Sequence, residues 1–319
     1  MSKTKALLII SAILVFIGVA IGGAGVALGG TTDLYYYFMD GKFTAASSSD
    51  LATASVPVDD FTKIKVNTAT VDIRIKQSDN YGVSYHVSED HIPEVKTSGD
   101  KLTVTVPKTS SFFNFRFNST SEEYIEITVP YGDDYYDIDI DGSTSDIQID
   151  KINSKCNIGV STGNIVINSS ELDDSSKLHV STGNISLNNC NAEKLHTEGS
   201  TGDHFYTRCT IEDLDIDTST GDVTFSESTI GEVSIDGSTS DIKSTGTSFK
   251  KIDISVSTGD VNLSLPGEEN DYDYNISLST GDLNVDGNTY HKSIKRDKGH
   301  DKKIIISGSS SDVNISFDK

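Results

Sequence analysis

Four aspartates with identical spacing are the first candidates for chemistry in this chain. Asp203, Asp222, Asp241 and Asp260 recur at 19-residue intervals. If they stack about 5 Å apart, the carboxylates repel one another, and a hard cation such as calcium would relieve that repulsion. Calcium binding is therefore one hypothesis, and no other cofactor is expected. We favour an alternative, local Asx-turn capping with solvent screening, because the glycine-rich nonapeptide spacing of calcium-binding β-rolls is absent.

The aspartates close a motif, Ser-Thr-Gly-Asp, that the chain rewrites nine times. Its first Ser recurs at intervals of 18, 20, 19, 19, 19, 19, 22 and 30 residues. A period near 19 is typical of a solenoid with one coil per repeat. Gly tolerates positive φ, while Asp and the hydroxyl side chains can bond to nearby backbone, so the motif is interpreted as a corner. Two clear copies are Ser219, Thr220, Gly221, Asp222 and Ser257, Thr258, Gly259, Asp260.

Alignment on the motif's Ser predicts strands on both sides of the corner. Residues four and six after the Ser are mostly apolar and those between them mostly polar, which is the period of a strand. The residues three positions before the Ser are also mostly apolar. Each coil therefore has at least two short strands around a shared apolar interior. The column four after the Ser is Ile147, Ile165, Ile185, His204, Val223, Ile242, Val261, Leu283 and Val313.

Two positions at the corner exchange glycine between them. Where Ser replaces the corner Gly, the residue before the motif is Gly, and where the corner Gly is present that residue is usually larger. We infer that the two positions compete for the same space. The pairs are Gly142 with Ser145, Gly237 with Ser240, and Gly308 with Ser311, and the exception is Gly199.

The three cysteines also fall on the repeat. Cys190 and Cys209 both stand nine residues after their Ser, so they are expected one above the other, at a separation compatible with a disulfide. The competing interpretation is two free thiols packed as small hydrophobic groups, because Ser170 and Ser228 occupy that column elsewhere. Cys156 aligns with aliphatic residues and is predicted to fill the core.

The N-terminal region is predicted to anchor the chain in a membrane. Residues 6–30 are free of charge and long enough to span a bilayer as a helix. Lys3 and Lys5 within 1–5 place the N-terminus in the cytoplasm by the positive-inside rule. A cleaved signal peptide is the alternative, but no A-x-A-like site is evident. Residues 31–55 are interpreted as a juxtamembrane aromatic belt and a flexible linker.

The rest of the chain is predicted to be β throughout and to lie outside the membrane. Residues 56–135 alternate as strands and are expected to cap one end of the solenoid, which would occupy 136–319. The segment 287–303 carries six of the 26 basic residues. It is interpreted as a cap over the other end, and the alternative is a contact with anionic wall polymers or lipid headgroups. The expected fold is an all-β β-solenoid, or β-helix, behind one transmembrane helix.

The strand segments and corners together resemble a known bacterial family. The segments "FTKIKVNTATVDIRI", "KLTVTVP" and "YIEITVP" followed by repeated "STGDV" corners are similar to the membrane-anchored β-strand-repeat proteins labelled "putative adhesin", whose function is unknown. Some of those proteins are associated with envelope stress and with the response to cell-wall antibiotics. The resemblance covers about residues 56–319 and implies a cell-surface protein of a Gram-positive bacterium.

Composition and motifs narrow the function classes. A net charge of −22 argues against nucleic acid as a partner. The acidic pairs Asp133–Asp134 and Asp173–Asp174 fall in polar, turn-like stretches, and no nucleophile elbow, phosphate loop or HExxH motif occurs. We expect a noncatalytic surface protein, an adhesin or scaffold that binds wall polymers or envelope proteins. The alternatives are a calcium-dependent surface module and a β-helix carbohydrate-active enzyme.

Overall fold

The chain folds into β-strands, as its alternating pattern predicts. The computed structural model describes residues 51–107 and 122–318, with strand backbone at 34–39, 42–47 and 115–116. Within these ranges the helical elements are two single 3₁₀ turns, Glu89–His91 and Glu269–Asp271. The predicted transmembrane segment 6–30 lies outside the described residues. No helix in the described part is long and apolar enough to cross a membrane.

The chain divides into two compact units. The smaller comprises 1–51 and 109–122 and holds a three-stranded sheet. In this sheet β1 (Leu34–Met39) pairs antiparallel with both β2 (Lys42–Ser47) and β9 (Phe115–Arg116). Strands β1 and β2 fall within 31–55, and the expected juxtamembrane belt and flexible linker stay a prediction. The run of aromatic residues taken as a membrane belt is also a run with high strand propensity.

The larger unit, 52–108 and 123–319, contains two long sheets, each with one strand from every coil. The post-corner sheet is built from the strands that follow the corners. Its hydrogen-bonded order is β28 (Asn288–Tyr290), β27 (Leu283–Val285), β31 (Val313–Asp318), β25 (Val261–Pro266), β23 (Ile242–Thr245), β21 (Val223–Ser226), β19 (His204–Thr207), β17 (Ile185–Asn188), β14 (Ile165–Asn168), β12 (Ile147–Asp150), β5 (Asp72–Ser78), β10 (Tyr124–Pro130), β6 (Gly82–Ser88) and β3 (Leu51–Val56).

The pre-corner sheet is built from the strands that lead into the corners. In one coil its strand is split in two, and the second half, β16 (Ser176–Thr182), pairs with β13 (Asn153–Thr162) and β18 (Asn191–Thr201). The order is β29 (Ser293–Arg296), β26 (Tyr272–Thr280), β30 (Lys302–Ser310), β24 (Ser248–Thr258), β22 (Thr229–Thr239), β20 (Thr210–Thr220), β18 (Asn191–Thr201), β15 (Glu171–Leu172), β13 (Asn153–Thr162), β11 (Tyr135–Thr144), β4 (Lys63–Thr68), β8 (Lys101–Thr105) and β7 (Glu94–Ser98).

The register confirms the predicted columns. Ile147 lies opposite Ile165, Ile165 opposite Ile185, and Val223 opposite Ile242 in parallel neighbours. Residues of the apolar columns are at most a few per cent exposed and belong to one continuous hydrophobic core. Burying a side chain of this size contributes roughly 1.5–3 kcal/mol. Because each coil buries its apolar residues against those of its neighbours, stacking supplies the core that one coil lacks.

The parallel stack begins before residue 136. Strand β4 pairs in parallel with β11, and β5 with β12, so residues 63–78 form a coil of the same kind. The next coil outward is made by β8 and β10. Beyond this coil, β7 pairs antiparallel with β8 and β6 pairs antiparallel with β10. Strand β3 forms the edge of the post-corner sheet. The boundary expected at 136 is therefore not a boundary in the sheets, because the coils of 56–135 lack the Ser-Thr-Gly-Asp signature while keeping its strand pairing.

The last coil of the sequence is not the last coil of the stack. Strand β30 lies between β24 and β26, and β31 lies between β25 and β27. Residues 302–318 therefore insert between two coils that precede them in the chain. The inserted coil contributes Ile304, Ile306 and Phe317 to the core, and Phe317 packs on Tyr272 with ring centroids 5.1 Å apart.

Most of the basic segment 287–303 lies at the outer end of both sheets, and its last two residues begin β30. Its strands β28 and β29 pair antiparallel with β27 and β26, the final parallel strands of the stack. Asp273 holds the loop that follows, since its carboxylate accepts the N–H groups of Lys298, Gly299 and His300 at 2.8–3.0 Å. These bonds lower the pKa of Asp273, the bond from Lys298 most strongly. An antiparallel strand at this position covers the backbone edge that a bare coil would present.

Geometry of the Ser-Thr-Gly-Asp corner

Glycine is required at the corner by its conformation and by the approach of the next coil. Gly221 has φ 157° and Gly259 has φ 135°, in the region that L side chains rarely adopt. A Cβ atom on Gly221 would lie 1.9 Å from the carbonyl oxygen of Gly202, and one on Gly259 would lie 2.1 Å from that of Ser240. Any side chain at these two positions would therefore force neighbouring coils apart.

The structure supports the exchange of glycine at two of the three predicted pairs, whereas a Cβ added to Gly142 would lie 3.6 Å from Cβ of Ser145, an ordinary contact. A Cβ added to Gly237 would lie 3.1 Å from Oγ and 3.2 Å from Cβ of Ser240, and at Gly308 the corresponding distances to Ser311 are 3.1 and 3.0 Å. The exception, Gly199, faces a different obstacle, because its added Cβ would lie 2.5 Å from Nε2 of His204. A large inward side chain beside the corner therefore requires Gly at one of the two positions.

The corner carboxylates form a ladder between coils rather than a turn within each coil. The N–H group of Asp222 donates to Oδ1 of Asp203 at 2.9 Å, and that of Asp260 donates to Oδ1 of Asp241 at 2.8 Å. The prediction of an Asx-turn within each coil is therefore wrong, because the carboxylate oxygen accepts from the backbone N–H group of the next coil instead of its own. The same bond, 2.7–3.2 Å long, links Asp72, Asp146, Asn164, Asn184, Asp203, Asp222, Asp241, Asp260, Asp312 and Asp282 in stack order.

These bonds offset the repulsion that motivated the calcium hypothesis. Two exposed carboxylates about 5 Å apart repel by only about 0.8 kcal/mol in water, whereas a hydrogen bond to a charged group contributes about 1.5–3 kcal/mol. In the part of the chain that the structure describes, no group of three or more His, Cys, Asp or Glu side chains is placed to hold a metal ion. Asp203, Asp222, Asp241 and Asp260 are thus brought into one line, and calcium binding by them stays a prediction.

The Ser and Thr of the corner form an exposed strip of hydroxyl groups. The Thr residues lie opposite one another in neighbouring coils, and Thr220, for example, lies between Thr201 and Thr239. The Ser residues beside them are also exposed in nearly every coil. The register in stack order is Thr144, Thr162, Thr182, Thr201, Thr220, Thr239, Thr258, Ser310 and Thr280.

A second corner, not predicted from the sequence, turns six of the coils eight residues after the Ser. Its residues have φ between 51° and 60°, the left-handed conformation, although most are not glycine. Gly246 and Asn189 were the available signal, and the other members share no chemical type. The column is Lys151, Ser169, Asn189, Arg208, Glu227 and Gly246.

The thiols of Cys190 and Cys209 take part in a ladder that follows this second corner. Elsewhere in the column a buried hydroxyl bonds to a carbonyl two residues earlier, as Ser228 Oγ does to Ser226 at 2.9 Å. Cys190 Sγ makes the same contact with Asn188 at 3.4 Å, and Cys209 Sγ with Thr207 at 3.5 Å. Contact with the Cys209 thiol and burial raise the pKa of Cys190. The predicted stacking is present, and both cysteines are free thiols in this structure.

Cys156 fills the core, as predicted. It is fully buried, and burial raises the pKa of its thiol to about 12. Its backbone N–H group donates to Ser176 Oγ at 3.1 Å. This cysteine therefore has a packing role within the pre-corner sheet.

One coil carries polar groups at three inward positions. Thr197, His204 and Tyr206 are all fully buried where other coils have mostly aliphatic residues. Thr197 Oγ1 lies 3.2 Å from Nδ1 of His204 and 2.6 Å from the hydroxyl of Tyr206. Desolvation lowers the pKa of His204 to about 4, so the imidazole is neutral at pH 7. Its Nε2 atom has no hydrogen-bond partner among the described residues.

The side chains of His179, His196 and Asp173, which could act as acids or bases, do not converge on one site. His179 pairs with Glu198 at 3.2 Å, and His196 pairs with Asp215 at 3.1 Å, in separate outward columns. The carboxylate of Asp173 accepts from the backbone N–H and hydroxyl of Ser175, in the turn that splits the pre-corner strand. These contacts join neighbouring coils or close a turn.

Two parallel sheets built from repeated coils define this molecule as a β-solenoid. The Toastrack DUF4097 family model matches residues 61–316, and the chain belongs to that family. No curated protein matches it.

Solved structures of low sequence identity cover a similar length. A "putative adhesin" from Bacteroides fragilis is 15% identical with a TM-score of 0.46 and is matched over 96% of its chain and 83% of this one. A "putative cell adhesion protein" from Clostridium sporogenes is 14% identical, with a TM-score of 0.32 and coverage of 100% and 84%. A "putative lipid binding protein" from Parabacteroides distasonis is 14% identical, with a TM-score of 0.37 and coverage of 97% and 85%. At these values the three structures carry no functional argument.

Proposed function

We propose that this protein is a noncatalytic binding scaffold of the bacterial envelope, anchored by residues 6–30 and exposing its solenoid outside the cell. The observation that carries the proposal is the strip of corner hydroxyl groups, which repeats one chemistry over nine coils. Coils stack about 4.8 Å apart, so the hydroxyl groups of the strip are evenly spaced. Such a surface suits an extended, repetitive partner better than a single small substrate.

The acidic composition agrees with an exterior address. The chain carries 48 acidic and 26 basic residues, and a large net charge keeps an exposed domain soluble. Two lysines before an uncharged segment favour a cytoplasmic N-terminus. The carboxylates of the corner motif have a structural use in the ladder, which makes an acid–base role for them unnecessary.

Topology is tested by labelling intact cells with a membrane-impermeant maleimide. The three native cysteines are buried, so a single exposed cysteine reports its own location. Thr220→Cys should be labelled in intact cells, and the matched variant Ser2→Cys should be labelled only after permeabilisation. Labelling of Ser2→Cys but not Thr220→Cys in intact cells would reverse the proposed orientation.

Binding is tested at the strip itself. Thr201, Thr220 and Thr239 are replaced together by Val, which keeps the shape and removes the hydroxyl groups. We expect the full-length variant to lose retention on purified cell-wall material while its thermal melting stays close to that of the wild type. A matched triple change on the post-corner sheet, Thr207→Val, Thr224→Val and Thr245→Val, should retain binding. Equal retention of both variants would contradict a role for the strip.

A further inference from the structure

A shallow groove on the outer face of the pre-corner sheet concentrates positive charge in an acidic protein. Its volume is 520 Å³, and it lies across β8, β4, β11, β13 and β16. Five lysines line it against two aspartates, Asp137 and Asp139, and a third aspartate, Asp100, pairs with Lys63. The local balance is +2, whereas the whole chain carries −22. The lysines are Lys63, Lys65, Lys101, Lys155 and Lys177.

The strand register brings like charges together in this groove. Lys63 lies directly opposite Lys101 in the neighbouring parallel strand, an arrangement that destabilises a sheet unless the charges are balanced. Asp100 balances Lys63 at 2.9 Å, and Asp139 balances Lys65 at 2.7 Å. Compensation within the protein therefore accounts for two of the five lysines.

The other three lysines form no ion pair with the described residues, although Lys155 lies opposite Asp137 in the register of β11 and β13. Lys101, Lys155 and Lys177 are exposed, and none has a carboxylate within 4.0 Å among residues 51–107 and 122–318. Farther along the same face Lys194 is paired with Asp213 at 2.8 Å. Lysine ammonium groups contact phosphate as compact point charges.

The spacing of these lysines fits a chain of anions better than a single ion. Lys101 and Lys155 are three strand spacings apart, about 14 Å. Lys177 lies on the strand after that of Lys155 and two residues farther along, an offset of about 7 Å. The three ammonium groups therefore follow a path about 20 Å long. At physiological ionic strength charges beyond about 8 Å are largely screened, so acidic residues on other faces weaken this patch little. Asp137 and Asp173 lie close to Lys155 and offset part of its charge.

We propose that this groove binds a linear polymer of phosphate groups, with Lys101, Lys155 and Lys177 contacting phosphates at intervals along the polymer. This inference rests on the proposed function for the place where the polymer is met. The binding itself is a property of the groove, and it can be measured on the purified protein whatever the cellular location.

The test uses full-length protein in mild detergent and long-chain inorganic polyphosphate, titrated calorimetrically at several salt concentrations. The triple variant Lys101→Gln, Lys155→Gln, Lys177→Gln should bind at least tenfold more weakly than the wild type. Its plot of log affinity against log salt should be shallower by about 2, since each single-strand phosphate contact contributes about 0.7. The matched variant Lys151→Gln, Lys243→Gln, Lys250→Gln removes equal charge from exposed sites outside the groove and should bind like the wild type.

Three results would overturn the proposal. The first is absence of polyphosphate binding by the wild type at low salt, and the second is equal weakening in both triple variants. The third comes from the competitors orthophosphate and short-chain phosphatidylglycerol, if either one binds as tightly as the polymer. That last result would assign the lysines to a single phosphate or to a lipid headgroup. The polyphosphate titration does not depend on the labelling or wall-binding results. The groove proposal and the proposed envelope function can therefore fail independently.

Discussion

The backbone N–H group of Asp241 donates to Oδ1 of Asp222 in the coil before it, at 3.0 Å. This bond explains why the corner accepts Asn as readily as Asp, since either side chain offers an oxygen acceptor. Asn184 serves Asp203 in the same way at 2.8 Å. The motif's final residue is therefore selected for an acceptor at a fixed distance, and its negative charge is secondary.

The ladder predicts opposite outcomes for two changes at Asp222. Asp222→Asn keeps the acceptor and removes charge, so the free energy of unfolding should change by less than about 0.5 kcal/mol. Asp222→Ala removes the acceptor from the N–H group of Asp241 and should cost about 1–2 kcal/mol. Denaturant unfolding with and without calcium measures both. A calcium-dependent stabilisation of the wild type that Asp222→Asn abolishes would favour the metal hypothesis instead.

The exchange of glycine at the corner predicts a compensating pair. Gly237→Val should destabilise by about 1–3 kcal/mol, the usual cost of overpacking, because its Cβ would meet Ser240. Adding Ser240→Gly should restore much of the loss by clearing that space. The single change Ser240→Gly is the control, and thermal unfolding is the measurement. If the double variant were no more stable than Gly237→Val, the two positions would not share space.

Burial of His204 predicts loss of stability in acid. Its pKa is lowered from 6.5 to about 4, so the unfolded chain takes up the proton first as pH falls. The stability is complete above pH 6.5 and is lost progressively as pH falls towards 4, by roughly 3 kcal/mol for a shift of this size. His204→Val, which matches Val223 in the next coil, should remove this part of the slope. The exposed control His291→Gln should leave the slope unchanged.

The hydroxyl column after the second corner predicts that serine can replace two of the cysteines. Cys190→Ser and Cys209→Ser each place a hydroxyl group where Ser170 and Ser228 already bond to carbonyls, so each should cost less than about 1 kcal/mol. Cys156→Ser should cost more, because the thiol it replaces is fully buried and contacts Ser154 Oγ, at 3.1 Å, rather than a carbonyl oxygen. Unfolding under reducing conditions compares the three. Equal, large losses at all sites would show that the column does not accept hydroxyl groups freely.

Sequence periodicity was sufficient to predict the coils, the inward columns and the corner, because each depends on a residue type repeated at fixed spacing. It did not reveal the partner of the Asp222 carboxylate, since an Asx-turn and an inter-coil bond need the same side chain. It also placed residues 302–318 at the end of the stack, where chain order would put them. A coil with the same apolar columns can stack at any position along the solenoid. Only the pairing of β30 with β24 and β26 reveals that this coil is inserted.

The central claim, in-register stacking with the C-terminal coil inserted, is tested most directly by disulfide trapping in a chain whose native cysteines are replaced by Ser. Thr258 lies opposite Ser310, and Ser310 lies opposite Thr280, within the roughly 4.4–6.8 Å that a disulfide spans between Cα atoms. Thr258→Cys with Ser310→Cys should therefore cross-link under mild oxidation, and Thr258→Cys with Thr280→Cys should not. Cross-linking of positions 258 and 280, without that of 258 and 310, would contradict the account.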